Sequence, residues 1–253
     1  MENETEKVSI LRITEQGKSK VKDVVVREFP LAIVLNNQEL VTLLCSPTDL
    51  EYLAVGFLLS EGLIKSKDDI KKMVTDDRRG VVQVETGGGV DVPVKPVLAS
   101  GGGRSALPCR AQRVRTEPQV KLPASQIFSL MEAFVQRSRV FEATGGVHSA
   151  ALCDAKDILV FSEDIGRHNA IDKIFGECLL RDITTDNRLI ITSGRVSSEI
   201  LLKVARRNIP ILISKSAPTD SGIRLASDLG VTLIGFVRGK KMNIYANSRR
   251  VAV

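Results

Sequence analysis

The sequence has few aromatic residues and few cysteines, and each shortage excludes a class of protein. Aromatic residues make up 4% of the chain and tryptophan is absent, so a nucleic-acid surface on which bases stack against aromatic rings is not expected. The cysteines form no C-x-x-C pair and lie far apart, at Cys45, Cys109, Cys153 and Cys178. This spacing favours reduced thiols over a disulfide framework.

Long apolar segments are missing as well. No apolar run approaches the ~20 residues that a membrane-spanning helix needs. The N-terminal sequence M-E-N-E-T-E-K also lacks the apolar region of a secretory signal. We therefore expect a cytoplasmic protein that makes no membrane contact.

The rest of the composition is typical of a globular protein. Hydrophobic residues make up 43% of the 253 residues and charged residues 26%, which is enough for one large domain or two small ones. The formal net charge of +6 favours an anionic ligand or partner. The basic residues are too scattered to form the stripe that binds nucleic acid.

The first half of the chain predicts a small α+β domain. Residues 1–20 are polar and predict a frayed terminus or at most an edge strand, whereas residues 23–45 predict a hairpin of β-branched strands. A helix is expected next, with Ser46 as its N-cap and Pro47 at the first helical position. We assign residues 1–115 to this domain and expect it to end in a glycine-rich loop.

Strands and helices alternate in the second half. Several strands, such as Ile158–Phe161 and Ile209–Ser214, are almost continuously apolar, which is typical of strands that are buried on both faces. The pattern predicts an α/β domain over residues 116–253, with helices on both faces of a sheet that contains parallel pairs.

Polar and small residues follow four of these strands. The four junctions carry Asp164, Arg167, His168 and Asn169; Ser193, Gly194 and Arg195; Lys215 and Ser216; and Arg238, Gly239, Lys240 and Lys241. Because parallel strands present their carboxyl ends on one edge, we expect at least the first three junctions to converge. Helix N-termini and arginine side chains suit phosphate oxygens. The pattern therefore predicts a phosphorylated, nucleotide-like ligand.

Taken singly, these residues also have structural interpretations. Ser193 and Gly194 could belong to a helix cap, His168 could be a hydrogen-bonded structural histidine, and Asp164 could pair with Arg167 at the surface. The expected convergence is what favours a ligand site. For His148, which follows two glycines, the preferred interpretation is a core histidine after a plain turn.

Zinc chemistry is not expected. A zinc deaminase needs H-x-E and P-C-x-x-C, but Ser149-Ala150 follows His148, and Arg110-Ala111-Gln112 follows Cys109. Neither G-x-S-x-G nor a phosphate-binding G-K-[ST] loop occurs. Cys109 has three arginines nearby in sequence, which would favour its thiolate, so it is the candidate reactive thiol. The other three cysteines lie in apolar runs and are expected in the core.

Several motifs carry a resemblance to a known family. E-D-I-G-R-H-N-A-I-D-K at residues 163–173 resembles the signature of the FdhD family, the formate dehydrogenase accessory sulfurtransferases. Further similar segments are S-P-T-D-L-E-Y-L-A-V-G-F-L-L-S-E-G-L-I (46–64), T-G-G-V-H-S-A-A-L (144–152), S-G-R-V-S-S-E (193–199), S-K-S-A-P-T (214–219) and G-F-V-R-G-K-K-M-N-I-Y (235–245). They span nearly the whole chain in the family's order.

The resemblance implies a fold and a function. It implies a cytidine-deaminase-like α/β domain without zinc, preceded by a smaller α+β domain, in a cytoplasmic homodimer. Such proteins pass sulfur from a cysteine desulfurase to the molybdenum cofactor, in its bis-molybdopterin guanine dinucleotide form, for formate dehydrogenase. The family's cofactor-binding stretch corresponds to Phe236, Val237, Arg238, Gly239, Lys240 and Lys241.

One motif departs from the family's pattern. Where the family carries loop cysteines, this chain reads S-G-G-G-R-S, with Gly102 and Ser105 at the cysteine positions. Three functions stay open. The chain could transfer sulfur with Cys109 as acceptor, or it could bind the cofactor or guanine nucleotides as a chaperone without transferring sulfur. As a weaker alternative, it could process nucleotides with His168 and Asp164 as an acid–base pair.

Overall fold

An antiparallel ribbon of two long strands opens the chain in the computed structural model, which describes residues 3–87, 98–99 and 121–252. Strands β1 (Thr5–Thr14) and β2 (Gly17–Val26) pair along their full lengths. The expectation of a frayed terminus over residues 1–20 is therefore wrong, whereas the alternative of an edge strand is confirmed, because each strand of a two-stranded ribbon is an edge. The segment is polar overall, but every second position in parts of both strands is apolar or β-branched, which suits a ribbon.

A five-stranded sheet follows the ribbon. Its strands are β3 (Phe29–Leu35), β4 (Gln38–Cys45), β5 (Ile70–Asp76), β6 (Val81–Thr86) and β7 (Leu98–Ala99), in the order β5-β6-β3-β4-β7. Helix α1 (Leu50–Glu61) and a 3-10 turn (Lys67–Asp69) lie between β4 and β5. The predicted hairpin of β3 and β4 is confirmed, and its turn residues Asn36 and Asn37 both have positive φ.

The start of α1 differs from the prediction. The N-cap is Asp49, in the left-handed region at φ 54°, and the helix begins at Leu50. Pro47 therefore lies before the helix. Ser46 does not cap α1: it is buried, and its hydroxyl accepts a hydrogen bond from the backbone N–H of Ile165 at 3.2 Å. A long-range partner competes with the local cap, so Ser46 joins the two halves of the chain.

The second half combines helices with a six-stranded sheet. Its helices are α2 (Ala124–Arg137), α3 (Arg139–Thr144), α4 (Arg167–Leu180), α5 (Ser198–Arg206) and α6 (Asp220–Leu229). Its strands are β8 (Leu122–Pro123), β9 (His148–Cys153), β10 (Ile158–Asp164), β11 (Leu189–Thr192), β12 (Ile211–Ser214), β13 (Thr232–Arg238), β14 (Lys241–Ala246) and β15 (Val251–Ala252), and a 3-10 turn (Ser248–Arg250) precedes the last. The sheet order is β10-β9-β11-β12-β13-β14, while β8 and β15 pair separately.

Helices cover both faces of the six-stranded sheet. On one face, α2 packs Ile127 and Phe134 against strand residues such as Ile191 and Ile213. On the other face, α4, α5 and α6 bury apolar residues together with the alternate strand positions. The predicted α/β fold class, a three-layer C-terminal region after a smaller α+β unit, is confirmed.

The two halves share one hydrophobic core. Helix α1 packs against α4, and residues of both helices and of both sheets belong to the same buried cluster. The predicted division at residues 115 and 116 lies outside the described residues, as do the glycine-rich loop and Cys109. In the described part of the chain, no helix is long and apolar enough to cross a membrane.

Candidate functional site

The strand directions bring the polar junctions to one edge of the six-stranded sheet. Strands β11, β12 and β13 are parallel, and β10 runs the same way because both β10 and β11 are antiparallel to β9. The carboxyl ends of these four strands therefore lie on one edge, which confirms the predicted convergence. Strand β9 runs in the opposite direction, so its first residue, His148, lies on this edge too.

A cavity of about 220 Å³ opens at this edge. Four of the predicted ligand residues line it: Ser193, Lys215, Ser216 and Arg238. The remaining lining residues come from α2, the α2–α3 junction, α3 and the start of β9, namely Phe134, Val135, Ser138, Phe141, His148 and Ser149. The sequence analysis did not place this second group at the site, and of its members only His148 has a signal nearby in sequence, the two glycines at 145 and 146.

Two cations lie over aromatic rings beside the cavity. Lys215 Nζ is 5.7 Å from the centroid of the Phe141 ring, and Arg238 Cζ is 5.6 Å from the centroid of the Phe236 ring. Arg238 Nε also donates to the Lys215 backbone carbonyl at 3.4 Å. Cation–π contacts of this kind hold charged side chains in place, so both positive groups are set at the cavity before any ligand arrives.

The residues of the predicted cofactor-binding stretch from Phe236 to Lys241 differ in their exposure. Phe236 is exposed and strained, with φ at 53°, whereas Val237 is fully buried in the core beneath it. Gly239 has φ at 55° in the turn between β13 and β14, and Lys240 and Lys241 are exposed there. Phe236, Arg238 and the two lysines can therefore contact a ligand, but Val237 can support the stretch only from behind.

His148 lines the cavity. Its Nδ1 lies 3.4 Å from Ser193 Oγ, and the same hydroxyl accepts the Ser149 backbone N–H at 2.9 Å. Burial, followed by the positive charges of Arg167 and Arg195, lowers the pKa of His148. The preferred interpretation of His148 as a core histidine is thus wrong. The two preceding glycines were a signal, but the antiparallel direction of β9 was needed to interpret it.

Arg167 and Arg195 lie close enough to repel each other. Burial and then the charge of Arg195 lower the pKa of Arg167, and Glu199 only partly opposes this. Arg167 Nε is buried without a hydrogen-bond partner among the described residues. An anion held between the two guanidinium groups would relieve the repulsion and satisfy that nitrogen.

Gly194 makes room for Arg167. A Cβ at Gly194 would come within 2.8 Å of the Arg167 Cβ. The Gly194 carbonyl accepts the Ser214 hydroxyl at 2.8 Å, and its N–H donates to Thr192 Oγ1 at 3.2 Å. Ser193 and Gly194 are not the cap of α5, because Ser197 is. They join the carboxyl ends of β11 and β12.

His168 is neutral and nearly inaccessible. It is 4% exposed, and burial, then Lys203 and Arg167, lower its pKa to about 3. Its Nε2 lies 3.7 Å from Glu199 Oε2. Because burial keeps the imidazole uncharged at neutral pH, this contact is not an ion pair.

Asp164 and Asn169 lie behind the edge and bind protein groups. Asp164 Oδ2 contacts Lys173 Nζ at 2.8 Å and accepts the Ser46 N–H at 3.0 Å, while Oδ1 accepts from Gly166 N and Asn169 Nδ2, both at 2.9 Å. Asp164 has no exposed surface. Neither the surface pair of Asp164 with Arg167 nor an acid–base pair of Asp164 with His168 forms, so the nucleotide-processing alternative loses its catalytic groups.

The three described cysteines are buried, as predicted. Burial raises the pKa of Cys45, Cys153 and Cys178 to about 12 in each case. These thiols are therefore protonated and shielded from reagents. Among the described residues, no group of three histidine, cysteine, aspartate or glutamate side chains could hold a metal ion.

Comparison with known proteins identifies the family. The model of the FdhD/NarQ family matches residues 26–252. The chain is 44% identical over 247 residues to the sulfur carrier protein FdhD of Bacillus subtilis (strain 168), with 94% of each chain covered. The chain belongs to the FdhD/NarQ family.

Other FdhD/NarQ relatives agree in sequence and in fold. The sulfur carrier protein FdhD of Staphylococcus aureus (strain MRSA252) is 40% identical over 246 residues, covering 94% of this chain and 93% of its own. A crystal structure of a protein from Desulfotalea psychrophila, described as a formate dehydrogenase accessory protein, superimposes with a TM-score of 0.81 at 27% identity. The match covers 98% of this chain and 100% of that one.

Proposed function

We propose that this FdhD/NarQ protein carries sulfur for the maturation of formate dehydrogenase in the cytoplasm, working as a homodimer. Cys109 would accept sulfur as a persulfide from a cysteine desulfurase and pass it to the molybdenum cofactor in its bis-molybdopterin guanine dinucleotide form. The single observation that supports an anionic substrate here is the buried Arg167 Nε, which has no hydrogen-bond partner among the described residues and lies in the positive field of Arg195.

The phosphates of such a substrate match the cations of the edge. Arg167 and Arg195 can each form paired hydrogen bonds to phosphate oxygens, and Lys215 and Arg238 add charge at the cavity. The exposed Phe236 ring, already in contact with Arg238, offers a flat surface for a guanine base. Neutral His148 can donate or accept a hydrogen bond without adding charge.

The sulfur-accepting step needs one nucleophile. The Cys109 thiolate would attack the terminal sulfur of the desulfurase persulfide, the sulfur–sulfur bond of that persulfide would break, and the desulfurase cysteine would leave as a thiolate. Sulfur moves without a change in the number of thiol equivalents, so no external oxidant is needed. The three described cysteines cannot take this role, because each is buried with a pKa of about 12.

The sequence at residues 100–105 favours a second function. Gly102 and Ser105 occupy the positions where the family's loop cysteines are expected. If Cys109 accepts no sulfur, the cationic edge still supports a chaperone that binds the cofactor or guanine nucleotides without transferring sulfur. The two functions therefore differ in whether Cys109 accepts a sulfur atom, which can be measured.

Mass spectrometry of the intact thiols separates the two functions. After incubation with a cysteine desulfurase and L-cysteine, we expect the mass of one added sulfur atom on Cys109 and none on Cys45, Cys153 or Cys178. Cys109→Ser should abolish the addition, whereas the control Cys178→Ser should keep it. A protein that gains no sulfur on Cys109 would function as the chaperone.

Calorimetry with GDP tests the anion site. We expect weak but measurable binding by the wild type, and Arg167→Ala and Arg238→Ala should each weaken it by about tenfold, because each removes a charge-assisted hydrogen bond. Arg224→Ala is the control, since Arg224 is exposed on α6 and pairs with Asp220. Equal affinities in all four proteins would remove the nucleotide site.

A further inference from the structure

The ribbon of β1 and β2 forms a two-stranded sheet of its own among the described residues. Helix α3 contacts β2, and a Cβ at Gly146 would lie 2.6 Å from Val26 Cγ1 at the base of the ribbon. On one face of the ribbon Val8, Ile10 and Val21 are half-buried. Two-stranded ribbons are marginally stable in water unless something covers a face. Ten residue pairs nevertheless stay in register.

One face of the ribbon combines positive charge with exposed apolar side chains. Residues directly opposite in an antiparallel pair share a face, and Leu11 is opposite Lys20 while Ile13 is opposite Lys18. Leu11 is 57% exposed and Ile13 67%, the two highest values among the described large apolar side chains. We call this surface the basic ribbon face; its residues are Lys7, Ser9, Leu11, Ile13, Lys18, Lys20, Lys22 and Val24.

The charges on the basic ribbon face have no internal partners. Within the described residues, none of its four lysines forms an ion pair, and the face carries no acidic residue. The carboxylates of the two strands, Glu6 and Asp23, lie on the opposite face, where Asp23 pairs with Arg12 at 3.5 Å. Charge is therefore segregated between the two faces.

Protection against aggregation explains only part of this pattern. Lysines on an edge strand prevent unwanted strand pairing, and Lys18, Lys20 and Lys22 could serve that purpose. Such protection does not explain Leu11 and Ile13, which lie beside the lysines and remain exposed. Exposed apolar residues with a polar rim are instead typical of a protein-binding surface.

We propose that the basic ribbon face binds an acidic amphipathic segment of a partner protein, with apolar side chains over Leu11 and Ile13 and carboxylates against Lys18, Lys20 and Lys22. A second copy of this face is a poor occupant, because four lysines would oppose four lysines. The ribbon precedes the bulk of the segment that the FdhD/NarQ model matches, which begins at residue 26. The proposal thus goes beyond sulfur transfer and cofactor binding.

The position of the ribbon links this surface to the site. Val26, the last residue of β2, packs against Gly146, and His148 follows two residues later on the cavity wall. The base of the ribbon is therefore joined to the cavity wall, and a partner seated over Leu11 and Lys20 would lie six residues, or ~20 Å, further along the ribbon.

Fluorescence anisotropy with a defined peptide tests the proposal on the full-length protein. The probe is an amphipathic peptide of about 18 residues, or about five helical turns, with leucines on one face and glutamates flanking them. We expect Lys18→Glu/Lys20→Glu/Lys22→Glu to weaken binding at least about tenfold, and Leu11→Ser/Ile13→Ser to weaken it about tenfold. The matched control Lys65→Glu/Lys71→Glu/Lys156→Glu, at three exposed lysines, should stay within about twofold of the wild type.

Nuclear magnetic resonance then locates the peptide. Chemical-shift changes confined to residues 7–24 support the proposal, and changes only around Arg167, Arg195 and Arg238 overturn it, because the cationic edge would then be the binding site. The proposal is also overturned if the wild type does not bind, if both lysine triples lose affinity equally, or if duplex DNA or anionic vesicles bind the ribbon more tightly than the peptide does. Circular dichroism confirms that each variant is folded.

Discussion

Lys173→Met is expected to lower the free energy of unfolding by about 3–5 kcal/mol. Lys173 and Asp164 are 1% and 0% exposed, and the Lys173 Nζ lies 2.8 Å from Asp164 Oδ2. The substitution preserves most of the side-chain volume but leaves a buried carboxylate without its counter-charge. Lys173 Nζ also lies 3.5 Å from the Ser46 carbonyl and 3.4 Å from that of Glu163, so these acceptors lose a donor as well.

Lys67→Met provides the matched control for this prediction. Lys67 pairs with Asp182 at 2.6 Å, but its side chain is 46% exposed and that of Asp182 73%. Water solvates both charges when the pair is broken, so the expected loss is below about 1 kcal/mol. Chemical denaturation of the three proteins gives the comparison. Similar losses for Lys173→Met and Lys67→Met would show that the buried pair contributes no more than a surface pair.

This buried pair shows why sequence alone misassigned part of the site. Asp164 and Asn169 lie in a polar junction after a strand, which is where ligand residues are expected in an α/β sheet. Their actual partners are Ser46, 118 residues from Asp164, and the Leu44 carbonyl, 125 residues from Asn169. No local pattern contains such contacts, because they depend on how the two halves pack.

The part of the candidate site that could be predicted from the sequence is the part that follows from the direction of the strands. Apolar strands that alternate with helices imply parallel pairs, and parallel pairs place the junctions that carry Arg167, Ser193 and Lys215 on one edge. The cavity needs Phe134 and Phe141 as well. In the sequence, Phe134 lies on the apolar face of a helix and Phe141 near a helix end, so neither residue is distinguished from ordinary core residues. Their position at the cavity depends on how the helices pack against the sheet.

Helix α1 packs closely against α4 through two helical glycines. Replacing either glycine with alanine should destabilise the protein. An added Cβ at Gly56 would lie 1.8 Å from the Asp172 carbonyl oxygen, and one at Gly176 would lie 1.9 Å from the Tyr52 carbonyl oxygen. Both clashes are with backbone, which no side-chain rotation relieves. The helices would have to separate, and with them the core that both halves share.

Gly56→Ala and Gly176→Ala should each lower the free energy of unfolding by about 3 kcal/mol or more, at or beyond the upper end of what overpacking costs. The direction of this change in stability identifies the clash, since alanine in an unhindered helix interior stabilises by about 0.5–1 kcal/mol relative to glycine.

Ser129→Ala, at an exposed position of α2, should change stability by less than about 0.5 kcal/mol. Thermal and chemical unfolding measure all three variants. If either glycine variant were more stable than the wild type, the two helices could not pack at the close distance described here.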